Sequence, residues 1–153
     1  MLTQEIIDAL KQSERSYYRM VLVVGESGAG KTQILQSIAE QTKTTVTNLN
    51  LELSKALLEL SPKEQMLSAA DAFDDILMST KTPKIIDNIE ILFDVKLKIN
   101  PLELLKNRSR IHEMIVSWNG SYQEGRLTYA EMGHHEYQSY EQPEVLIQTV
   151  ELK

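Results

Sequence analysis

Eight residues near the start of the chain combine glycines, a lysine and a hydroxyl at fixed spacing. The octapeptide GESGAGKT fits the pattern of a P-loop. Its glycines let backbone N–H groups converge on phosphate oxygens, and a following helix adds the positive end of its dipole. Lys31 can reach the β- and γ-phosphates, and the Thr32 hydroxyl can bind magnesium. The motif therefore predicts binding of a nucleoside triphosphate and Mg²⁺ by Gly25, Glu26, Ser27, Gly28, Ala29, Gly30, Lys31 and Thr32.

A second acidic residue is needed beside such a loop, at the end of a neighbouring strand. Asp87 follows two isoleucines in PKIIDNIE, and we predict that it holds Mg²⁺ together with Thr32. Many P-loop ATPases follow this aspartate with a glutamate that polarises the attacking water, but Asn88 occupies that position and cannot accept a proton. Either Glu90 replaces it as a catalytic residue, or water is oriented without a base, or hydrolysis is slow.

Other polar residues could complete a catalytic site. Asn119 ends the apolar run in IVSWNG and could sense the γ-phosphate, although Asn119 and Gly120 could instead form a tight turn. Arg108, Arg110 and Arg126 are candidates for an arginine finger donated to a neighbouring subunit, against the background that surface arginines are usually solvated.

These residues require elements that bring them to one edge of a sheet. The apolar run 20–24 predicts a buried strand before the loop, and helical periodicity after Lys31 predicts a helix behind it. Glycines after Asn119 suggest a hairpin. Further strands are predicted at 44–50, 84–87, 114–118 and 145–150. Helices are predicted at 3–13, where Thr3 is the expected cap, and at 53–60. Two more helices should begin at Pro62, after a Ser61 capping box, and at Pro101, after Asn100.

The alternation of strands and helices predicts a parallel sheet covered on both faces. The expected fold class is α/β, a three-layer P-loop NTPase core with a mostly parallel sheet. Residues 1–153 are expected to form a single P-loop nucleotide-binding domain. Its predicted parts are an N-terminal helix at 3–13, a core at 20–119, and a C-terminal hairpin and last strand at 120–153.

Composition limits the partners. The net charge of −6 and the pI near 5.1 argue against duplex binding by a monomer, so DNA contact is expected only within a complex, if at all.

The absence of cysteine excludes disulfides and cysteine-ligated zinc. His134, His135 and Glu136 lack metal-ligand spacing and indicate a polar loop. No secretory signal or apolar run of roughly 20 residues is present, which predicts a cytoplasmic protein that makes no membrane contact.

Two later segments carry a resemblance to a known family. IIDNIEILFD (85–94) and IVSWNGSYQEGRLTYAE (115–131), with the loop near the start, resemble BrxF, the small P-loop protein family of type III bacteriophage-exclusion (BREX) defence systems. The resemblance covers nearly the whole chain. It implies an AAA+-like core without the C-terminal helical lid domain, acting beside other defence proteins. By motif position it implies Lys31 and Thr32 at phosphate and Mg²⁺, Asp87 as the second acid and Asn119 as the sensor.

Two functions follow as the main hypotheses. The first is an NTPase that switches or assembles on binding ATP or another NTP, as a homo-oligomer or with other BREX proteins, in an anti-phage defence complex. The second is a non-hydrolysing, nucleotide-dependent adaptor, which Asn88 motivates. A small-molecule kinase is disfavoured because no arginine-rich lid is evident. ATP is the default nucleotide, since the Asn-Lys-x-Asp signature of GTP-binding proteins is absent.

Overall fold

A computed structural model describes residues 2–130 and 137–151. The strands are β1 (Met20–Gly25), β2 (Val46–Asn48), β3 (Lys84–Asp87), β4 (Met114–Gln123), β5 (Arg126–Tyr129), β6 (Gln138–Glu141) and β7 (Leu146–Thr149). The α-helices are α1 (Leu2–Gln12), α2 (Lys31–Thr42), α3 (Leu49–Leu57), α4 (Pro62–Met78) and α5 (Pro101–Ser109), with 3-10 helices at Ser13–Arg15, Glu90–Phe93 and Val95–Leu97.

The central sheet consists of parallel strands in the order β2-β3-β4-β1-β7. All residues of β1 are buried, and successive side chains point to opposite faces. Val21 and Val23 pack in a cluster with α1 and α2, whereas Leu22 and Val24 pack with α3, α4 and α5. The predicted α/β class with a mostly parallel sheet is therefore confirmed, and helices on both faces are consistent with three layers.

The strand order brings the polar ends of four strands together. The chain leaves β1 through α2, crosses to the edge strand β2, and returns through β3 and β4. Gly25 is in register with Asn119, and Asn48 is in register with Asp87. All four residues lie at the carboxyl edge of the sheet, where open α/β sheets bind ligands.

Strand β4 continues beyond this edge into an antiparallel extension with β5 and β6. The expectation that the strand ends at Asn119, and the alternative of an Asn119-Gly120 turn, are both wrong. The turn lies at Glu124 and Gly125, whose φ values of 52° and 78° are the left-handed conformation of tight hairpins. Gly120 instead permits close approach, because a Cβ atom there would lie 1.8 Å from the carbonyl oxygen of Thr128.

Helix starts follow the local capping chemistry. The Ser61 capping box is confirmed, since Ser61 Oγ accepts from Glu64 N at 3.2 Å and Glu64 Oε1 accepts from Ser61 N at 3.0 Å. The predicted Thr3 cap is wrong, because α1 already includes Leu2.

Helix α3 begins earlier than predicted, at Leu49. The side chain of Asn48 accepts from Leu51 N and caps it. The i, i+4 spacing of the buried residues Leu49, Leu53 and Leu57 gives the true helical stripe.

Two further predictions from the sequence concern a polar loop and membrane-spanning segments. His134, His135 and Glu136 lie outside the described residues. Within residues 2–130 and 137–151, no helix is both long and apolar enough to span a bilayer.

Candidate functional site

The loop between β1 and α2 is curled so that the start of α2 faces a cavity. Gly28 and Gly30 have φ values of 86° and 94°, which favour glycine, and Ala29 N donates to Glu26 O at 3.1 Å. Gly30 is the N-cap of α2 and provides no side-chain acceptor. The first N–H groups of α2 have no partner within the helix, and such groups attract anions.

Lys31 ties this loop together. Its residue is only 6% exposed, and Nζ donates to Gly25 O at 2.8 Å and to Glu26 O at 2.6 Å. Burial lowers the pKa of Lys31, whereas the negative charges of Asp87, Glu90 and Glu26 act in the opposite direction. Because an ammonium group has three donors, one remains for an anion in the cavity.

Asp87 connects three elements at the carboxyl edge. Its residue is 5% exposed; Thr32 Oγ1 donates to Oδ2 at 2.7 Å, Asn88 N donates to Oδ1 at 3.0 Å, and the Ser117 hydroxyl also donates to Oδ1. Strand β4 therefore orients the aspartate of β3 toward the first turn of α2.

The Thr32–Asp87 pair has the chemistry that Mg²⁺ requires. Mg²⁺ prefers hard oxygen ligands and is usually held by one or two carboxylates with phosphate and water oxygens. Among residues 2–130 and 137–151, no cluster of three or more His, Cys, Asp or Glu side chains could hold a metal ion by itself. An ion here would therefore depend on Thr32, Asp87, water and a bound phosphate.

Glu90 and Asn119 also line the cavity and contact each other. Asn119 Nδ2 donates to Glu90 Oε1 at 3.1 Å. Asn88 has a φ value of 56°, and its carbonyl oxygen accepts from Asn50 N at 2.8 Å. This turn leads into the 3-10 helix that begins at Glu90. Glu90 is therefore a carboxylate of the cavity wall that could accept a proton, as Asn88 cannot.

These groups share one cavity. It has a volume of about 400 Å³ and is lined by Ser27, Gly28, Gly30, Lys31, Thr32, Gln33, Asp87, Asn88, Glu90 and Asn119. Lys31 is the basic side chain in that wall. A neighbouring cavity of about 450 Å³ shares Asn88 and Glu90 and is otherwise lined by Asn48, Asn50, Leu51 and Ser54. Both volumes are within the range of small-ligand sites.

The candidate arginines lie elsewhere in the same chain. Arg108 pairs with Asp74 on α4, the guanidinium of Arg110 lies 4.3 Å from the ring centre of Tyr17, and Arg126 pairs with a glutamate of β6 at 2.8 Å. Of the described residues that line the cavity, none is an arginine. An arginine donated by a second subunit stays a prediction.

Ser117 is a site residue that the sequence analysis missed. It is 4% exposed and lies within the apolar run of β4. A polar residue inside a buried strand needs a hydrogen-bond partner, and this was the available signal. The partner, Asp87, is identified only once β3 and β4 are paired.

Comparisons of the chain with models of known protein families, with curated proteins and with solved structures find no match. The functional interpretation therefore depends on the residues and geometry of the site.

Proposed function

We propose that the chain binds a nucleoside triphosphate, ATP by preference, together with Mg²⁺, and hydrolyses it. The observation that carries the proposal is the contact between Thr32 and Asp87 at 2.7 Å, directly beside the curled loop and Lys31. A buried lysine, an uncapped helix start and a hydroxyl–carboxylate pair at one edge of a parallel sheet fit a triphosphate and its metal ion.

Each group has a distinct role in binding. The N–H groups of the loop and of the first turn of α2 surround the phosphates, and Lys31 Nζ holds the far phosphate by charge and hydrogen bonding. Mg²⁺ would be held by Thr32 and Asp87, with Ser117 keeping the aspartate in position, and would neutralise charge on the phosphate oxygens. Binding in this mode does not require a catalytic base.

Hydrolysis would use Glu90. A water molecule between the γ-phosphate and the Glu90 carboxylate transfers a proton to that carboxylate as its oxygen attacks phosphorus, and the nucleoside diphosphate leaves. Asn119 orients Glu90 through their 3.1 Å hydrogen bond, and we propose that its amide also senses the γ-phosphate. The absence of an arginine among the described cavity residues favours slow turnover by the isolated chain, because phosphoryl transfer depends on charge stabilisation.

The wider role that we propose is that of a switch or assembly subunit in a cytoplasmic anti-phage defence complex. It is supported by the resemblance of segments 85–94 and 115–131 to BrxF proteins. That resemblance also supports an AAA+-like P-loop NTPase core without the helical lid, and partners that are further copies of the chain or other BREX proteins.

A second candidate is a nucleotide-dependent adaptor that does not hydrolyse ATP. Asn88 favours it, because this residue directly follows Asp87 and its amide cannot act as a base. In this case bound ATP would order the 25–32 loop and the neighbouring strand ends for a partner, and Glu90 would only bind Asn119.

The two candidates are separated by single-turnover phosphate release measured with Mg²⁺–ATP over a wide range of protein concentration. We expect release that depends on Mg²⁺, increases steeply with concentration, and is abolished by Lys31→Ala but not by the control Lys11→Ala, which changes an exposed position of α1. Turnover that survives Lys31→Ala would contradict the hydrolysis proposal. ATP binding without release at any concentration would favour the adaptor.

A further inference from the structure

A second chemically distinctive region lies at the amino end of the sheet, opposite the candidate nucleotide site. The sequence contains five arginines, and four of them occur in the two segments that lead into β1 and β4. Arg15 and Arg19 precede Met20, whereas Arg108 and Arg110 precede Met114. A strand of six residues such as β1 separates this end from the 25–32 loop by roughly 20 Å.

Lys106, the two tyrosines and Arg110 form an ordered stack. The rings of Tyr17 and Tyr18 are stacked, with centres 4.8 Å apart and planes within 4°. Lys106 Nζ lies 4.7 Å from the ring centre of Tyr18, and the guanidinium of Arg110 lies 4.3 Å from that of Tyr17. Arg19 Nη2 donates to the carbonyl oxygen of Arg110 at 2.6 Å. The guanidinium of Arg110 is thereby held against the Tyr17 ring, and that of Arg19 is bound to the backbone of Arg110.

This surface, named here the basic end, is accessible. Tyr17 is 56% exposed and Ile111 is 71% exposed, and Arg110 is also exposed. Tyr18 and Arg110 cover the two faces of the Tyr17 ring, so the accessible flat surface is the outer face of the Arg110 guanidinium, next to the exposed side chain of Ile111.

The basic end contains four of the five arginines of a chain whose net charge is −6. His112 lies among these residues, and its pKa is lowered mainly by burial and further by Lys84, Arg19 and Arg108, with Asp74 acting in the opposite direction. Among the nearby acidic groups, Asp74 pairs with Arg108 and Glu144 lies 3.9 Å from Lys106, while Glu14 and Glu113 belong to the same two segments as the arginines.

We propose that the basic end binds single-stranded nucleic acid. Guanidinium groups recognise phosphate oxygens through paired hydrogen bonds, and bases stack on guanidinium planes. Arg15, Arg19 and Arg110 would contact the phosphodiester backbone, while bases would contact the outer face of the Arg110 guanidinium and the side chain of Ile111.

The combination of charge with the exposed guanidinium plane of Arg110 and the exposed Ile111 favours this ligand over an acidic protein segment, which would need the charge alone. A single strand is favoured over a duplex, because the stacking surface requires bases whose faces are free. The acidic remainder of the molecule limits the contact to a short stretch of backbone. This inference is independent of the nucleotide proposal.

The test is fluorescence anisotropy of a labelled thymidine oligonucleotide of about 20 residues, titrated with the protein at about 50 mM salt and at increasing salt. We expect affinity to weaken about tenfold in Arg110→Gln and in Arg19→Gln, with the slope of log affinity against log salt shallower by about 0.7 for each lost phosphate contact. Tyr17→Ala should weaken binding with an unchanged slope.

Lys63→Gln is the matched control, because it removes one charge from the opposite end of α4 and should leave affinity within about twofold, a change too small for the loss of a direct phosphate contact. Thermal melting checks that each variant is folded, since Arg110→Gln also removes the contact of the guanidinium with the Tyr17 ring. The proposal is overturned if the oligonucleotide does not bind, if Arg110→Gln and Arg19→Gln bind like the control, or if polyglutamate displaces the oligonucleotide at equal charge.

Discussion

Replacing Ser117 with alanine removes one hydrogen bond from the centre of the candidate site. The hydroxyl is buried, and it donates to Asp87 Oδ1, which would keep only its bond from Asn88 N at 3.0 Å. Hydrogen bonds to charged groups are worth about 1.5–3 kcal/mol, so we expect the free energy of unfolding to fall by about 2 kcal/mol. For a domain of 153 residues, this lowers Tm by about 4–8 °C.

Ser121→Ala is the matched control. It removes a hydroxyl from the same strand, but Ser121 is exposed and its bond is to Thr128 at 2.8 Å. We expect a change below about 0.5 kcal/mol. Thermal melting is measured with and without Mg²⁺–ATP, since a ligand that binds the folded state raises Tm. The increase should be smaller in Ser117→Ala than in Ser121→Ala, because Asp87 is less well positioned.

The reasoning is refuted if Ser117→Ala and Ser121→Ala have the same Tm both with and without Mg²⁺–ATP. A double-mutant cycle with Asp87→Asn adds a stricter test, because residues in contact couple by about 0.5–3 kcal/mol. Additive effects of the two substitutions would show that the Ser117–Asp87 bond does not act as described.

Three further predictions concern the ligand. Asp87→Asn should bring the ATP dissociation constants measured with Mg²⁺ and with a chelator close to each other, and a persisting Mg²⁺ enhancement would contradict the assigned metal ligand. Glu90→Gln should lower the rate of single-turnover hydrolysis by about 10²–10⁴-fold at unchanged ATP affinity. Adding Asn119→Ala to this variant should lower the rate little further, and a further large loss would show that Asn119 acts independently of Glu90. Because burial lowers the pKa of Lys31 below 10.5 and phosphate binding requires its proton, ATP affinity should fall as pH rises towards 10.5, whereas a flat calorimetric profile would contradict this role.

Much of the site follows from local sequence, since its residues belong to a contiguous motif or end a strongly apolar strand. The run at 20–24 must be buried on both faces, and the glycines and lysine after it permit few loop conformations. Asp87 is identifiable in the same way, because it ends the short β3 strand. For these residues, chain order alone places the side chain at the edge of a parallel sheet.

The remainder depends on tertiary contacts. Asn119-Gly120 has the composition of a turn, but strand β4 continues through these residues because it pairs with β5. Gly120 allows Thr128 of β5 to approach closely. The bond between Ser117 and Asp87 joins residues 30 positions apart, and that between Asn119 and Glu90 joins residues 29 apart. Neither pairing can be obtained from periodicity, which describes single elements.

Isothermal titration calorimetry of Mg²⁺–ATP into the wild-type protein and Lys31→Met tests the central claim most directly. The wild type should give saturable heat, and Lys31→Met should bind at least about 100-fold more weakly, because it loses about 3 kcal/mol of charge-assisted hydrogen bonding. Thermal melting checks the folding of the variant, because methionine removes a buried charge but also the two hydrogen bonds that Lys31 donates to loop carbonyls. No heat from the folded wild type at millimolar nucleotide, or equal affinity in the two proteins, would contradict the account.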